Sequence, residues 1–498
     1  MNKLNSTELE RLFSLHAEKN KSPKLKAHTI QNFAESPINV WCDYHADPNN
    51  KDPISDFQQL MFSEGKKHHN FVNETLFSTA VNLPFATEAD GFTQVLKLMS
   101  EKAIGILDMP LICKDLDISG RPDIMRKVSD QPSVFGSHSY EIIEIKSAKN
   151  IKTSHILQAA IYNRMIGAIQ EFTPPIFYLI NGDLEEFPYY AEEYDEQLDE
   201  IIQQLINVIN GETIAPTLRG ARWPWESYVN DLAIAANDAS LIPGIKSRRR
   251  EHLVDAGFTT VNEIAEASNE DLENIKGIGN TTAEKMIACA KALDRQSIFF
   301  KQPSPELPKH DTEVFIDLEG SNLYPSKSGS AMVNYLIGTV VRTNNSAEEF
   351  VSFFADTPDQ EADNTKAFFK WACSLEDPVF YHWHNYEKTQ LQLMGEGFEI
   401  NDDSLQFVID RLIDLSPIVL KSYAFPIYKE GLKEIAQYLG FSWTLDDVDA
   451  MGSIALFTDF VESEGKDLES KIKILTYNED DCQATKFIFD WLNSELVS

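Results

Sequence analysis

Membrane-length apolar runs are missing from this 498-residue chain, which sets aside a transmembrane helix. Its start, MNKLNSTELERLFSLHAEKNKS, lacks the apolar stretch and small-residue cleavage site of a secretory signal, so a cytoplasmic protein with no membrane partner is expected. Cysteine is scarce. Cys42, Cys113, Cys289, Cys373 and Cys482 are scattered without CxxC spacing, which argues against a disulfide framework or a zinc knuckle and for reduced thiols. No GxxxxGK[ST] occurs, so the chain is not expected to be a motor. Positive charge is also in deficit, with 44 Lys and Arg against 78 Asp and Glu, net −34. Surfaces that grip nucleic acid are usually basic. The deficit is uneven, however. Residues 240–295 hold 8 basic and 9 acidic side chains, net −1, including the run Lys246, Arg248, Arg249, Arg250; residues 313–498 hold 13 and 33, net −20. The acid excess reads chiefly as a solvated surface, because bound metals use only a handful of carboxylates.

What is present is enough apolar material for sizeable cores, 43% of residues with 11% aromatic, in a chain long enough for about three domains. Residues 1–30 are polar and lysine-rich and read as an arm or short helix. Strand and helix signals mix from 31 to 215, short glycine-punctuated helices fill 240–295, and KQPSPELPKHD (301–311) reads as a semi-rigid linker. From Glu313 a second strand–helix alternation runs to 498. The expected fold class is therefore α/β and multidomain.

SYEIIEIKSAK (139–149) reads as a strand that puts Glu144 and Lys146 on one face and Glu141 on the other. Upstream, ISGRPDIM sets Asp123 after a glycine turn at the start of another strand. Downstream, HILQAAIYNRMIG is helical, with Gln158 and Tyr162 four apart on one face. Two acids converging on a hard divalent cation, with a lysine to stabilise developing phosphate charge, suit phosphodiester hydrolysis. GRPD, EIK and QAAIY in this order resemble the RecB-like PD-(D/E)XK nucleases. FSEGKKHHNF resembles that family's G-x-x-x-H element, mapping onto Gly65 and His69, with His68 as the neighbouring alternative. The resemblance implies a restriction-endonuclease-like domain with Asp123, Glu144, Lys146, Gln158, Tyr162 and His69 at its site. Some relatives carry a four-cysteine iron–sulfur cluster; here Cys42 and Cys289 alone come into consideration, so none is expected.

The middle segment repeats itself. IPGIKSRRREHLV (242–254) and IKGIGNTTAEKMI (275–287) share Ile-x-Gly-Ile and an apolar pair at one offset. A glycine turn before a helix leaves backbone N–H groups open to an anion, gripping phosphate without reading bases. The pattern resembles the paired helix-hairpin-helix module, with Gly244, Gly277, Gly279, Lys246, Arg248, Arg249 and Arg250 as nucleic-acid contacts. Lys246 stands where the second copy has Gly279.

EVFIDLEG (313–320) puts Val314, Ile316 and Leu318 on one face and Asp317 and Glu319 on the other, a repulsive pair that a cation would relieve. TYNEDDCQAT places Tyr477 and Asp481 on one helical face, with Asp480 turned away. VFYHWHNYEKTQL carries Tyr386 and Glu387, with His382 and His384 read as structural. DLE, NYE and YNEDD in order resemble the YprB-like branch of the ribonuclease H-like DEDD exonucleases. That implies Asp317, Glu319, Glu387 and Asp481 as ligands, with Tyr477 assisting. Aspartate is usual where Glu387 stands, and Asp410 and Asp414 are alternatives. The expectation is a two-centre nuclease using one or two Mg²⁺ or Mn²⁺ per centre on DNA or RNA, DNA favoured, in repair or nucleic-acid processing, with any unwinding left to a separate helicase. Its rival is a binding scaffold with one or both centres inactive.

Overall fold

The computed structural model describes residues 4–18, 23–343, 348–445 and 448–495. The chain separates into two units, Met1–Ile54 with Gln58–Leu232, and Ser55–Phe57 with Ala233–Ser498. Among the described residues no helix is long and apolar enough to cross a membrane.

In the first unit a five-stranded sheet runs in the order β1 (Gly105–Leu107), β2 (Ile124–Ser133), β3 (Gly136–Ile145), β4 (Ile176–Ile180), β5 (Glu186–Tyr190). β2 and β3 are antiparallel, and β3 and β4 are parallel. A parallel pair needs a crossover, and helix α4 (Thr153–Gln170) provides it. α4 is apolar nearly all round and almost wholly buried, as befits a helix inside a core rather than on a surface. Tyr140 and Ile142 of β3 pack in the same core, while Ile143 and Ile145 join a smaller cluster with Val72 on the other face.

The polar start folds rather than trailing as an arm. Asn5 and Glu8 form a capping box that begins α1 (Ser6–His16), and α1 buries Leu12 in the main core. Leu25–Lys26 pairs in parallel with Ile118–Gly120, and α2 (Ala27–Glu35) follows at once. Leu9, Leu12 and Phe13 in α1, and Ala27, Ile30 and Phe33 in α2, recur at helical spacing, and tertiary burial supplies the stability that helices this short lack alone. A 21-residue helix, α3 (Asp56–Leu76), carries Gly65 and His69.

The second unit opens with short helices. α5 (Ser247–Asp255) and α6 (Asn280–Arg295) follow the two glycine turns, around buried Leu253, Ile264, Leu272 and Met286. Its sheet runs β8 (Glu349–Phe354), β7 (Val333–Thr343), β6 (Thr312–Ser321), β9 (Pro378–His382), β10 (Leu412–Asp414). β6 to β8 form an antiparallel meander, and β6, β9 and β10 are parallel. Val314, Ile316 and Leu318 face one core and Phe315 the other. Helix α7 (Tyr386–Gly397) follows β9, and α8 (Leu468–Glu495) packs along β6 and β7.

Candidate active sites and nucleic-acid interface

In the second unit the alternation of β6 aims Asp317 and Glu319 away from its apolar row and towards α8, which brings Asp481 to meet them. One carboxylate oxygen from each of Asp317, Glu319 and Asp481 lies within 4.8 Å of the others. Burial, then mutual repulsion, pushes Asp317 and Glu319 well above the usual carboxylate range. Burial pushes Asp481 up to about 6. Three acids packed this way repel one another unless protons or a cation intervene. Neutral donors hold them: Asn478 Nδ2 donates to Asp317 Oδ2 at 2.8 Å, Trp443 Nε1 to Asp481 Oδ1 at 2.8 Å, and Ser453 bonds Glu319. The Tyr477 hydroxyl also donates to Asp481. Such donors orient carboxylates without neutralising them, so the set fits a divalent cation.

Glu387 stands beside this trio but outside it. Its charge reaches Asp317, yet its Oε2 lies 3.3 Å from His382 Nδ1, which already bonds the His384 carbonyl at 2.5 Å. Glu387 Oε2 is left buried without a hydrogen-bond partner, an orphan a cation would satisfy. The expected four-carboxylate set is thus three plus a neighbour. Asp414 accepts from the His384 and Ser416 N–H groups, and Asp410 sits exposed at a helix end paired with Gln406. Neither joins the trio. Asp480 turns away as expected, to Thr444.

Sequence reasoning missed Asn478 and Trp443, as well as Gly338, which pairs with Asp317 in register. A Cβ on Gly338 would land on the Asn478 carboxamide. An isolated glycine inside a strand is a signal of such close approach.

In the first unit β2 and β3 place Asp123 opposite Glu144. The Asp123 N–H donates to Glu144 Oε1 at 3.0 Å, and the Ile145 N–H to Asp123 Oδ2 at 2.6 Å. His69 Nε2 lies 2.9 Å from Asp123 Oδ1, and that bond raises the histidine above its ordinary value. Lys146 Nζ donates to Gln158 Oε1 at 2.5 Å and reaches Glu144 Oε2 and Gln31 Oε1 at 3.4 Å each. Burial and the nearby Asp123 push Glu144 up to about 8. Tyr162 is buried one turn beyond Gln158, with Gly120 giving its ring room. Glu141 faces away to Arg126 at 2.6 Å, and His68 bonds the Asn181 backbone instead. Gln31, on α2, is the member that sequence reasoning missed.

In the middle segment Gly244 and Gly277 adopt left-handed backbone, φ +85° and +83°, which side chains disfavour. With Lys246, Arg248, Arg249, His252 and Lys276 they line one cleft of about 560 Å³. Two expected contacts fall outside it. Arg250 is clamped by Asp238 at 2.5–3.0 Å, an internal ion pair that takes its guanidinium out of the cleft. Gly279 caps α6 in extended backbone and does not line the cleft.

Residues 314–493 match the family model of the RNase H superfamily, and residues 238–292 match that of the SAM-like helix-hairpin-helix tandem. No curated protein matches the chain. The strand order around Asp317 and the paired glycine turns agree with those two matches. The chain therefore carries an RNase H superfamily domain and a tandem helix-hairpin-helix domain.

Proposed function

We propose that this chain is a divalent-metal-dependent nuclease acting on DNA, with one centre in each unit and the helix-hairpin-helix cleft holding the phosphate backbone. The observation that carries the reading is the trio Asp317, Glu319 and Asp481, with Asp317 half-buried, the other two buried and all three oriented by neutral donors. A Mg²⁺ or Mn²⁺ ion there would neutralise phosphate charge and acidify water. The chain's own work is to fix the three carboxylates, with Tyr477 and Trp443 aiming Asp481 and Asn478 aiming Asp317. Trimming of ends rests on the likeness to DEDD exonucleases.

The first unit reads as a RecB-like PD-(D/E)XK nuclease. Support comes from His69, Asp123, Glu144, Lys146 and Gln158 joining in one network at the β2–β3 edge. There Asp123 and Glu144 would hold the cation, and Lys146, aimed by Gln158, would meet the phosphate charge. A repair or processing role, with any unwinding left to a separate helicase, belongs to the same proposal.

A scaffold with inactive centres is the second reading, favoured by Glu387 lying outside the trio. Labelled DNA and RNA incubated with Mn²⁺ decide between them. Asp123→Ala and Asp317→Ala should each remove a distinct activity, whereas an inert wild-type chain that still binds would support the scaffold.

A further inference from the structure

We propose that one face of α3, carrying Phe62, Gly65 and Lys66, joins Arg222 and Trp223 to seat a single, unpaired strand leading to Asp123. This rests on reading Asp123, Glu144 and Lys146 as a nuclease centre, and it supplies the strandedness that reading leaves open. Positions 62, 65, 66 and 69 recur at helical spacing and share a face. At the end of that row, His69 touches Asp123 at 2.9 Å. Phe62 lies two turns earlier, about 10 Å along the axis. It is 54% exposed, and its ring meets Trp223 edge-on at 5.7 Å. Trp223 is fixed by its indole N–H on the Pro53 carbonyl at 3.1 Å.

Between Phe62 and His69 comes Gly65, where an added Cβ would meet nothing within 4 Å. Glycine inside a helix is less favourable than alanine, and no packing among the described residues requires it here. The open space in front of it lets a ligand's backbone approach. Charge comes from the exposed Lys66 and from Arg222, whose side chain is 55% exposed with one terminal nitrogen on Glu35. Glu35 is bonded by Gln31 at 3.3 Å, and Gln31 reaches Lys146 at 3.4 Å. A cation, an open helix face and an aromatic pair thus border the catalytic edge. Aromatic side chains stack on any base whose face is free, and paired bases hide theirs.

Binding of fluorescein-labelled dT20 and of a 20-base-pair duplex to the full chain, measured by anisotropy in Ca²⁺, tests this. Phe62→Ala and Gly65→Leu should each weaken dT20 binding about fivefold or more, with the duplex affected less than about twofold on the same scale. Gly65→Leu should melt no lower than wild type, which separates a blocked seat from misfolding. Unchanged dT20 binding in both variants, or equal weakening of single strand and duplex, overturns the proposal. Cleavage is scored separately in an Asp317→Asn background. If Asp123→Ala still cuts there, the nuclease reading of the first centre fails while the binding result stands.

Discussion

At Asp317 two demands conflict, because carboxylates set close enough to hold a cation repel one another without one. A buried carboxyl with a raised value binds its proton more tightly than the unfolded chain does. Stability is therefore lost as pH climbs from the ordinary carboxylate range through the elevated value. Asp317, Glu319 and Asp481 all shift this way. The metal-free protein should accordingly melt higher at pH 5 than at pH 8, and Mn²⁺ should raise the pH 8 melting temperature. Asp317→Asn should abolish cleavage by this centre, raise the metal-free melting temperature by about 2–4 °C per kcal/mol of repulsion relieved, and blunt the Mn²⁺ shift. Differential scanning calorimetry reads all three. A lower metal-free melting temperature for Asp317→Asn would show that the trio is not under repulsion. At the other centre Glu144, held up at about 8, must lose its proton before it can ligate a cation. Mn²⁺ binding to this centre should therefore release protons and tighten as pH rises, and binding independent of pH in an Asp317→Asn background would contradict that role. These acids were legible in the sequence because strand alternation and helix spacing fix which face a residue takes. Whether Glu387 joins the trio was not, since that depends on its contact with His382, which forms only in the fold.

Elements set these positions through a few small residues and turns. Gly338 on β7 lies beside Asp317, and the Asn478 carboxamide fills the space its missing side chain leaves. Gly338→Ala should cost about 1–3 kcal/mol by overpacking and lower second-centre cleavage, because Asn478 can no longer hold Asp317. Denaturant melts and cleavage assays with Asp123→Ala as background measure both effects. In the helix-hairpin-helix segment the basic run divides by structure. Lys246→Ala and Arg248→Ala should each flatten the salt dependence of duplex binding by about one unit of slope. Arg250→Ala should leave that slope alone and destabilise the fold, because it strands Asp238, which is buried and has its carboxylate held in the ionised form by Arg250. The repeat of Ile-x-Gly-Ile revealed the two turns. Nothing in the run of charges marked Arg250 as the inward one, since Asp238 lies twelve residues earlier and meets it only in the fold.

Over the whole molecule, two units each enclose their own core, and the excess of negative charge gathers in residues 313–498. Alternating strand and helix patterns foretold α/β units on either side of a short all-helical segment. The early helices were harder to see. α1 and α2 are short, yet α1 buries Leu12 and α2 brings Gln31 to Lys146. Long-range contacts of that kind leave no local pattern. On the proposed function, the carboxylates of Asp317, Glu319 and Asp481 hold the divalent cation on which second-unit cleavage depends. Anomalous diffraction from crystals of the full chain grown with Mn²⁺ tests it most directly. A manganese peak bounded by those three side chains, absent in Asp317→Asn, is expected. A wild-type protein that cleaves DNA in Mn²⁺ through its second unit, yet shows no peak there, would contradict it.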